Sequence, residues 1–575
     1  MKKVMFVVVL LLFSLSVVAQ GDDAFHLKLL AVQDDGNGNF TGSDADLFLE
    51  LKEGHGRVFL ETKPATKVDT QISTRYAKEI ACDHFKLDCN KYDFIYTIKS
   101  NSNIIGGPSA GAAISALTTI AVLDLDYDES ITITGTINSG GTVGPVGGVK
   151  EKLEAASKAG LKKVMIAKGS GLPYSGLENM TEILDLVKYG KENLSLDVVE
   201  VLDVDEVLFQ LTGKQLNHKE VLLTEDKQYT EIMQNLQTVL CDRNKKIVNE
   251  IKQQNIEFND SLNQDKIEHS INASKRGDYY SAASFCFGSN IDLRVYYYEQ
   301  KEPTINTIQK LFSELDEKNI ALENKLNEME ITTISDLQTK MVVKDRIEDV
   351  KHQIVEFNNT KDLSKAYKIL AYGEERFFSA VSWMQFFDME GKEFNLDKQR
   401  IKNSCIQKIS EAEERHQYTS LFVGGEFTLG INEKIVESRK AQEKEEYELC
   451  MITASQAKAD SNAILSSLGL HNETINEFIT AKQKAVERVI SQNSEEKVFP
   501  ILGYSYYKYA SALQEAQPYN ALVYLEYALE MSDLGIYFPE EVNYISSFNI
   551  KKEWRFFMIG LILGIGITVY FLRKN

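Results

Sequence analysis

The chain has 575 residues, 43% of them hydrophobic, which is too long for one ordinary domain and apolar enough for real cores. A formal net charge of -20 excludes a nucleic-acid binder, because phosphate binding needs clustered lysine and arginine. The absence of any His-Glu-x-x-His excludes a zinc peptidase of that kind.

At the N-terminus Lys2 and Lys3 precede an uncharged run from Val4 to Ala19, followed by Asp22 and Asp23. This pattern predicts a secretory signal peptide over residues 1–19. Residues 25–213 then alternate short apolar runs with helical stretches. Strands are predicted at Phe25–Val32, Ala45–Leu51, Arg57–Glu61, Phe94–Ile98, Ile131–Ile137, Lys163–Ala167 and Leu196–Leu202. Helices are predicted at Asp69–Phe85, Ser109–Leu123, Gly148–Ala159, Leu177–Tyr189 and Val204–Leu211. Strands followed by helices read as a mixed α/β domain.

From about residue 216 the texture changes, and residues 216–550 read as a long all-α region. Pro303 is the one proline between Pro173 and Pro500, and apolar residues recur at helical spacing, as in Ile308, Leu311, Phe312, Leu315, Leu322, Leu326 and Met329. A coiled coil, an irregular bundle and degenerate helical hairpins are all compatible with this. Tyr279–Phe287, Leu363–Tyr372 and Tyr519–Leu529 look like inner helices of such hairpins. At the end, Phe556–Leu572 is an uncharged run of 17 residues flanked by Lys551, Lys552 and Arg555 on one side and Arg573 and Lys574 on the other. It predicts a C-terminal transmembrane helix, with Gly560 and Gly564 spaced for helix packing. With the export signal, this places the chain as single-pass in the cell membrane, its bulk extracytoplasmic.

The six cysteines suit an exported chain. Cys82 and Cys89 are close enough for a local disulfide, with a metal pair as the rival reading, although no further Cys/His cluster completes a metal site. Cys241 and Cys286, and Cys405 and Cys450, are each 45 residues apart, and the sequence leaves the pairing open. Seven Asn-X-Ser/Thr sequons, from Asn39 to Asn472, give export mild support.

The chemistry concentrates at Gly106-Gly107-Pro108-Ser109-Ala110-Gly111 and, 43 residues past the serine, at Lys152. Serine is a weak nucleophile unless a base takes its proton. Lysine is such a base only when neutral, which burial favours. In the helix starting near Gly148, Lys152 falls on the apolar stripe of Val149, Leu153 and Ala156, whereas Lys150, Glu151 and Glu154 point elsewhere. That selects Lys152 over Lys150. Ser109 stands where a helix begins, and backbone N–H groups there can stabilise an oxyanion. An N-cap serine is the plainer reading of Ser109 taken alone.

On these residues the region 25–213 resembles the proteolytic domain of Lon proteases. Pro108-Ser109-Ala110-Gly111 matches the family's nucleophile motif. Thr134-Gly135, then Gly141-Thr142-Val143-Gly144-Pro145-Val146-Gly147-Gly148-Val149-Lys150-Glu151-Lys152, matches its second motif. The resemblance implies a Ser109 nucleophile, a Lys152 general base and a supporting Thr134 hydroxyl, with Gly107, Ala110 and Gly148 framing them. Two positions depart from the family: Gly106 stands where an acidic residue often precedes the core, and Thr136 where glutamate is usual. No Gly-x-x-x-x-Gly-Lys-Ser/Thr occurs, since the Gly-Lys pairs at 190–191, 213–214 and 391–392 lack the hydroxyl residue. The chain therefore looks like the ATP-independent, membrane-tethered Lon-like proteins of archaea. This implies a serine endopeptidase acting on unfolded proteins or peptides, with no cofactor, no metal and no ATP, and with homo-oligomerisation as a family habit. The alternative is an inactive Lon-like scaffold that presents the helical region to partners. Ser455-Gln456-Ala457-Lys458 and Ser494-Glu495-Glu496-Lys497 have the Ser-x-x-Lys spacing of penicillin-binding enzymes, but no Lys-Thr-Gly follows.

Overall fold

The computed structural model describes residues 24–34, 40–66, 68–100, 107–171, 185–216, 223–258, 261–420, 423–467, 475–538 and 573. Strands β1 (Phe25–Asp34), β2 (Phe40–Glu53), β3 (Val58–Lys63) and β4 (Tyr92–Ser100) form one sheet in the order β1-β2-β4-β3. β1 and β4 pair antiparallel with β2, with Leu27 opposite Leu47 and Leu49 opposite Tyr96. The period of two therefore gathers Leu27, Leu29, Leu47, Leu49, Phe94, Tyr96 and Ile98 on one face. That face is buried with helices α1 (Val68–His84) and α2 (Gly111–Leu123).

A second sheet is parallel, with β5 (Ile131–Thr134), β8 (Lys163–Ala167) and β9 (Asp197–Val201) in that order. Between β5 and β8 the chain makes a small hairpin of β6 (Thr136–Ile137) and β7 (Val143–Gly144), then helix α3 (Val149–Lys158). The single strand expected over Ile131–Ile137 is broken at Gly135, which turns to bond with the Ser109 segment. The parallel sheet is covered on both sides, as such sheets must be. Ile133, Met165 and Val201 join the α1/α2 core with α5 (Val204–Thr212). Val164, Ile166 and Val198 instead meet Val149, Leu153 and Ala156 of α3 and Leu186 of α4 (Leu186–Asn193). The helix expected at Leu177–Tyr189 begins only at Leu186, and residues 172–184 lie outside those described.

Beyond α5 the described chain is helical: α6 (Lys227–Gln253), α7 (Ser261–Lys275), α8 (Tyr279–Lys301), α9 (Ile305–Asn327), α10 (Ile334–Asn359), α11 (Leu363–Trp383), α12 (Lys398–Thr419), α13 (Gly425–Glu443), α14 (Tyr447–Ser467), α15 (Ile475–Glu495), α16 (Ile501–Leu513) and α17 (Pro518–Ser532). Asp226, Asp278, Thr304, Thr333 and Asp362 cap α6, α8, α9, α10 and α11 through their side chains. Disulfides join Cys241 to Cys286 between α6 and α8, and Cys405 to Cys450 between α12 and α14. Cys82 at the end of α1 is bonded to Cys89.

Two expectations need correction. The coiled coil is not supported: Ile308, Phe312 and Leu315 of α9 bury into a shared core with Val350 and Phe357 of α10 and with Leu370 of α11, not along one continuous seam. The C-terminal transmembrane helix, and with it the single-pass placement in the cell membrane, is also overturned. Among the described residues no helix is long and apolar enough to cross a membrane. The physical reason is amphipathicity: the long helices carry charged residues, such as Lys340, Lys344 and Arg346 in α10. The segments singled out for export and anchoring, 1–19 and 556–572, lie outside the described residues.

Residues Met1–Phe538 form one compact unit. Within it the helical region packs on the α/β region: α12 against α1, and α15 and α17 against the short turn at Ser139–Gly141.

Candidate active site

Ser109 lies in a short 3-10 turn, Pro108–Ala110, that feeds α2. Gly107 enters this turn with φ +97°, a conformation that any residue with a Cβ would resist, although the space beside it is open. The turn is held by the end of β5. Gly135 N–H donates to the Ser109 carbonyl at 3.0 Å, and Ala112 N–H donates to the Gly135 carbonyl at 3.1 Å. The Ser109 hydroxyl is partly exposed and caps neither helical segment. The N-cap reading of this serine therefore does not apply.

Thr134 is the last residue of β5 and pairs with Ile166 of β8. Paired residues in a parallel ladder point to the same side, so Thr134 faces the side of the sheet that α3 covers. Its hydroxyl is buried and has no hydrogen-bond partner among the described residues. Such orphans are uncommon and call for an explanation.

Lys152 sits in the first turn of α3, where its N–H donates to the Gly148 carbonyl at 3.0 Å. Gly148 has φ +63°, and a Cβ there would stand 2.4 Å from a Val32 methyl, so glycine is required. Val149, Leu153 and Ala156 fill the core below, and Lys152 on the same stripe is only 4% exposed. Lys150, one position before Glu151, is exposed and lies over the Tyr189 ring. Burial drives the Lys152 ammonium down to about 7, and the nearby Glu151 carboxylate only partly opposes this. No ion pair to Lys152 occurs among the described residues.

The topology assigns these residues to one edge of the sheet. A β5–α3–β8 crossover starts its helix where the first strand ends. Lys152 in the first turn of α3, Thr134 at the end of β5 and Ser109 bonded to Gly135 therefore all belong to the carboxyl edge of the parallel sheet, the customary place for sites in α/β folds. Among the described residues no hydrogen bond joins Ser109 to Lys152.

The Ser-x-x-Lys lysine of the helical region behaves differently. Lys458 is buried between Glu411 (3.1 Å) and Glu530 (3.0 Å). Burial alone would lower it, but the two carboxylates raise it well above its ordinary value. A lysine held charged in this way is no base, and Ser455 Oγ beside it is sealed from solvent.

Residues 89–213 match the model of the Lon protease (S16) C-terminal proteolytic domain. A Lon protease of Mycoplasma mobile is 28% identical over 174 residues, 28% of this chain and 20% of that protein. Lon protease 1 of Hydrogenovibrio crunogenus is 39% identical over 101 residues, 18% of this chain and 11% of that protein. A Lon protease of Methanosphaera stadtmanae is 34% identical over 131 residues, 22% of this chain and 14% of that protein. The chain thus spans a fifth or less of the length of these relatives. The match concerns the proteolytic domain and does not extend to the membrane-anchored archaeal kind named above. On the strength of the family match, residues 89–213 of this chain fall within a Lon-type (S16) proteolytic domain.

Proposed function

We propose that the chain is a serine endopeptidase in which Ser109 is the nucleophile and Lys152 the general base. The observation that carries this reading is the buried Lys152 with its pKa pushed to about 7. Neutral Lys152 Nζ takes the Ser109 proton as Oγ attacks the scissile carbonyl carbon. The carbonyl oxygen becomes an oxyanion, and its candidate donors are the backbone N–H groups of Ser109 and Ala110 in the turn before α2, since Gly111 N–H and Ala112 N–H already serve the Pro108 and Gly135 carbonyls. Collapse of the tetrahedral intermediate breaks the C–N bond, and Lys152 returns its proton to the leaving amine. Neutral Lys152 then takes a proton from water as the water oxygen attacks the acyl carbon, and it passes that proton to Ser109 Oγ as the C–Oγ bond breaks and the acid is released. The orphaned Thr134 hydroxyl supports a role in orienting the amine, which needs an acceptor when charged.

None of these steps consumes a nucleotide, so cleavage of unfolded chains or peptides proceeds without ATP. The three disulfides support folding in an oxidising compartment. The test is cleavage of an unfolded protein by the purified chain, with and without ATP. Ser109→Ala and Lys152→Ala each abolish it. Undiminished cleavage by either variant overturns the dyad, and a wild type inert towards unfolded substrates favours the scaffold reading.

A further inference from the structure

The β6–β7 hairpin lies in the chain between Thr134 and Lys152, and the helical region holds its tip. Arg415 of α12 donates through Nη2 to Asn138 Oδ1 at 2.7 Å. Arg488 of α15 donates through Nη2 to the Gly140 carbonyl at 2.5 Å. Ser139 Oγ donates to Glu530 Oε1 of α17 at 3.0 Å and lies 2.7 Å from the Tyr76 hydroxyl of α1. Gly140 is so close to Leu529 and Val489 that a Cβ there would stand 2.9 and 3.0 Å from their methyls.

Glu530 is itself fixed from behind by Lys408 at 2.8 Å and Lys458 at 3.0 Å, and Lys458 also reaches Glu411. All four charges are buried, as are Arg415, Ser139 and Asn138. Charges removed from water are tolerated only with fixed partners, so this interface admits one register. Ser139, Tyr76 and Lys458 superficially resemble a second catalytic array, but they are sealed and the lysine is charged, so they act as a clamp.

The other end of the hairpin meets the reacting corner. A Cβ on Gly111, two residues after Ser109, would stand 3.0 Å from the Ile137 nitrogen of β6. Gly135, just before β6, closes on Ser109, while β7 runs through Pro145–Gly148 into the turn that bears Lys152. A displacement of the tip therefore reaches both the strand that fixes Ser109 and the segment that fixes Lys152.

We propose that Arg415, Arg488 and Glu530 are positioning residues of the peptidase, setting the Ser109–Lys152 separation through the 138–142 tip, so that the helical region is part of the active-site scaffold. This rests on the dyad reading above. Reactions between prealigned groups lose rate steeply for small misplacements while substrate binding is little changed.

The test compares full-length Arg415→Ala, Arg488→Ala and Lys86→Ala on a short fluorogenic peptide. A short peptide makes no demand on a distant substrate-gathering surface. We expect kcat to fall at least ~10-fold for the two arginine variants with KM within about twofold. Arg488→Lys restores most of it, because an ammonium can still reach the Gly140 carbonyl. Lys86→Ala removes exposed ion pairs to Asp83 and, across the same interface, to Glu496, and kcat stays at the wild-type value. Amide exchange of residues 136–144, measured in the Ser109→Ala background, accelerates with Arg415→Ala. This second readout needs no activity, so it reports on the clamp even if the dyad reading fails through an active Ser109→Ala. Two results overturn the proposal: unchanged exchange in the tip, or a faster-exchanging tip with unchanged kcat.

Discussion

Two buried lysines divide this molecule by purpose. Lys152 in the α/β region has no carboxylate to pair with among the described residues, and burial drives it towards the neutral form near pH 7. Lys458 in the helical region is as deeply buried, yet two glutamates keep it charged. On the proposed reading, the same side chain serves as a base or a bolt according to whether burial comes with a counter-charge. The first arrangement sacrifices stability for reactivity, whereas the second locks one interface geometry.

Replacing each lysine separates the two roles. Lys152→Met is expected to lower kcat/KM by at least ~1000-fold, the scale of losing a dyad partner. Yet it should raise folding stability by on the order of 1–3 kcal/mol at pH 7, because an unpaired buried amine is removed. The sign follows from linkage. The folded value of about 7 lies below the unfolded one of 10.5, so the penalty is complete below pH 7, fades as pH rises from 7 towards 10.5 and is gone above that. Denaturant unfolding of wild type and variant at pH 6 and pH 10 measures it. A variant less stable at both would break the contrast.

Lys458→Met should do the reverse, costing about 3–5 kcal/mol by leaving Glu411 and Glu530 short of a counter-charge in the interior. Acid probes the same cluster without mutation. Burial pushes Glu530 up, but the Lys408 and Lys458 ammoniums hold it at about 2. Its stabilising contribution is therefore complete above about 4.5 and is lost as pH falls through about 2. Amide exchange at the 138–142 tip should accelerate over that window, and a tip that loosens already at pH 5 would point to another group.

The α/β half was legible because its signals are local. Strand alternation and the stripe at 149, 152, 153 and 156 each lie within one element, and Lys163–Ala167 is the strand as expected. The clamp was not legible, because its partners lie far apart in sequence: Ser139 meets Glu530 across 391 residues and Arg415 meets Asn138 across 277. Lys408, Glu411 and Arg415 share one face of α12, and a charged stripe of that kind ordinarily reads as solvated. Lys458 gave no hint either, because Ser455, Gln456, Asp460, Ser461 and Asn462 around it make the stretch read as polar.

The smallest effect is the most diagnostic of Lys152. If its neutral form is the base, kcat/KM rises tenfold per pH unit below about 7 and levels off above, because only the unprotonated amine accepts the Ser109 proton. Glu151, the carboxylate that holds the value up, offers a handle that touches no reacting atom. Glu151→Gln removes its pull and should move the limb to lower pH by a few tenths of a unit, the scale of a partly exposed charge. Lys150→Met, on the exposed side of the same helix, should leave the limb in place. A limb that ignores Glu151, or one that follows Lys150, would transfer the titration to another group and remove the main support for Lys152 as the base.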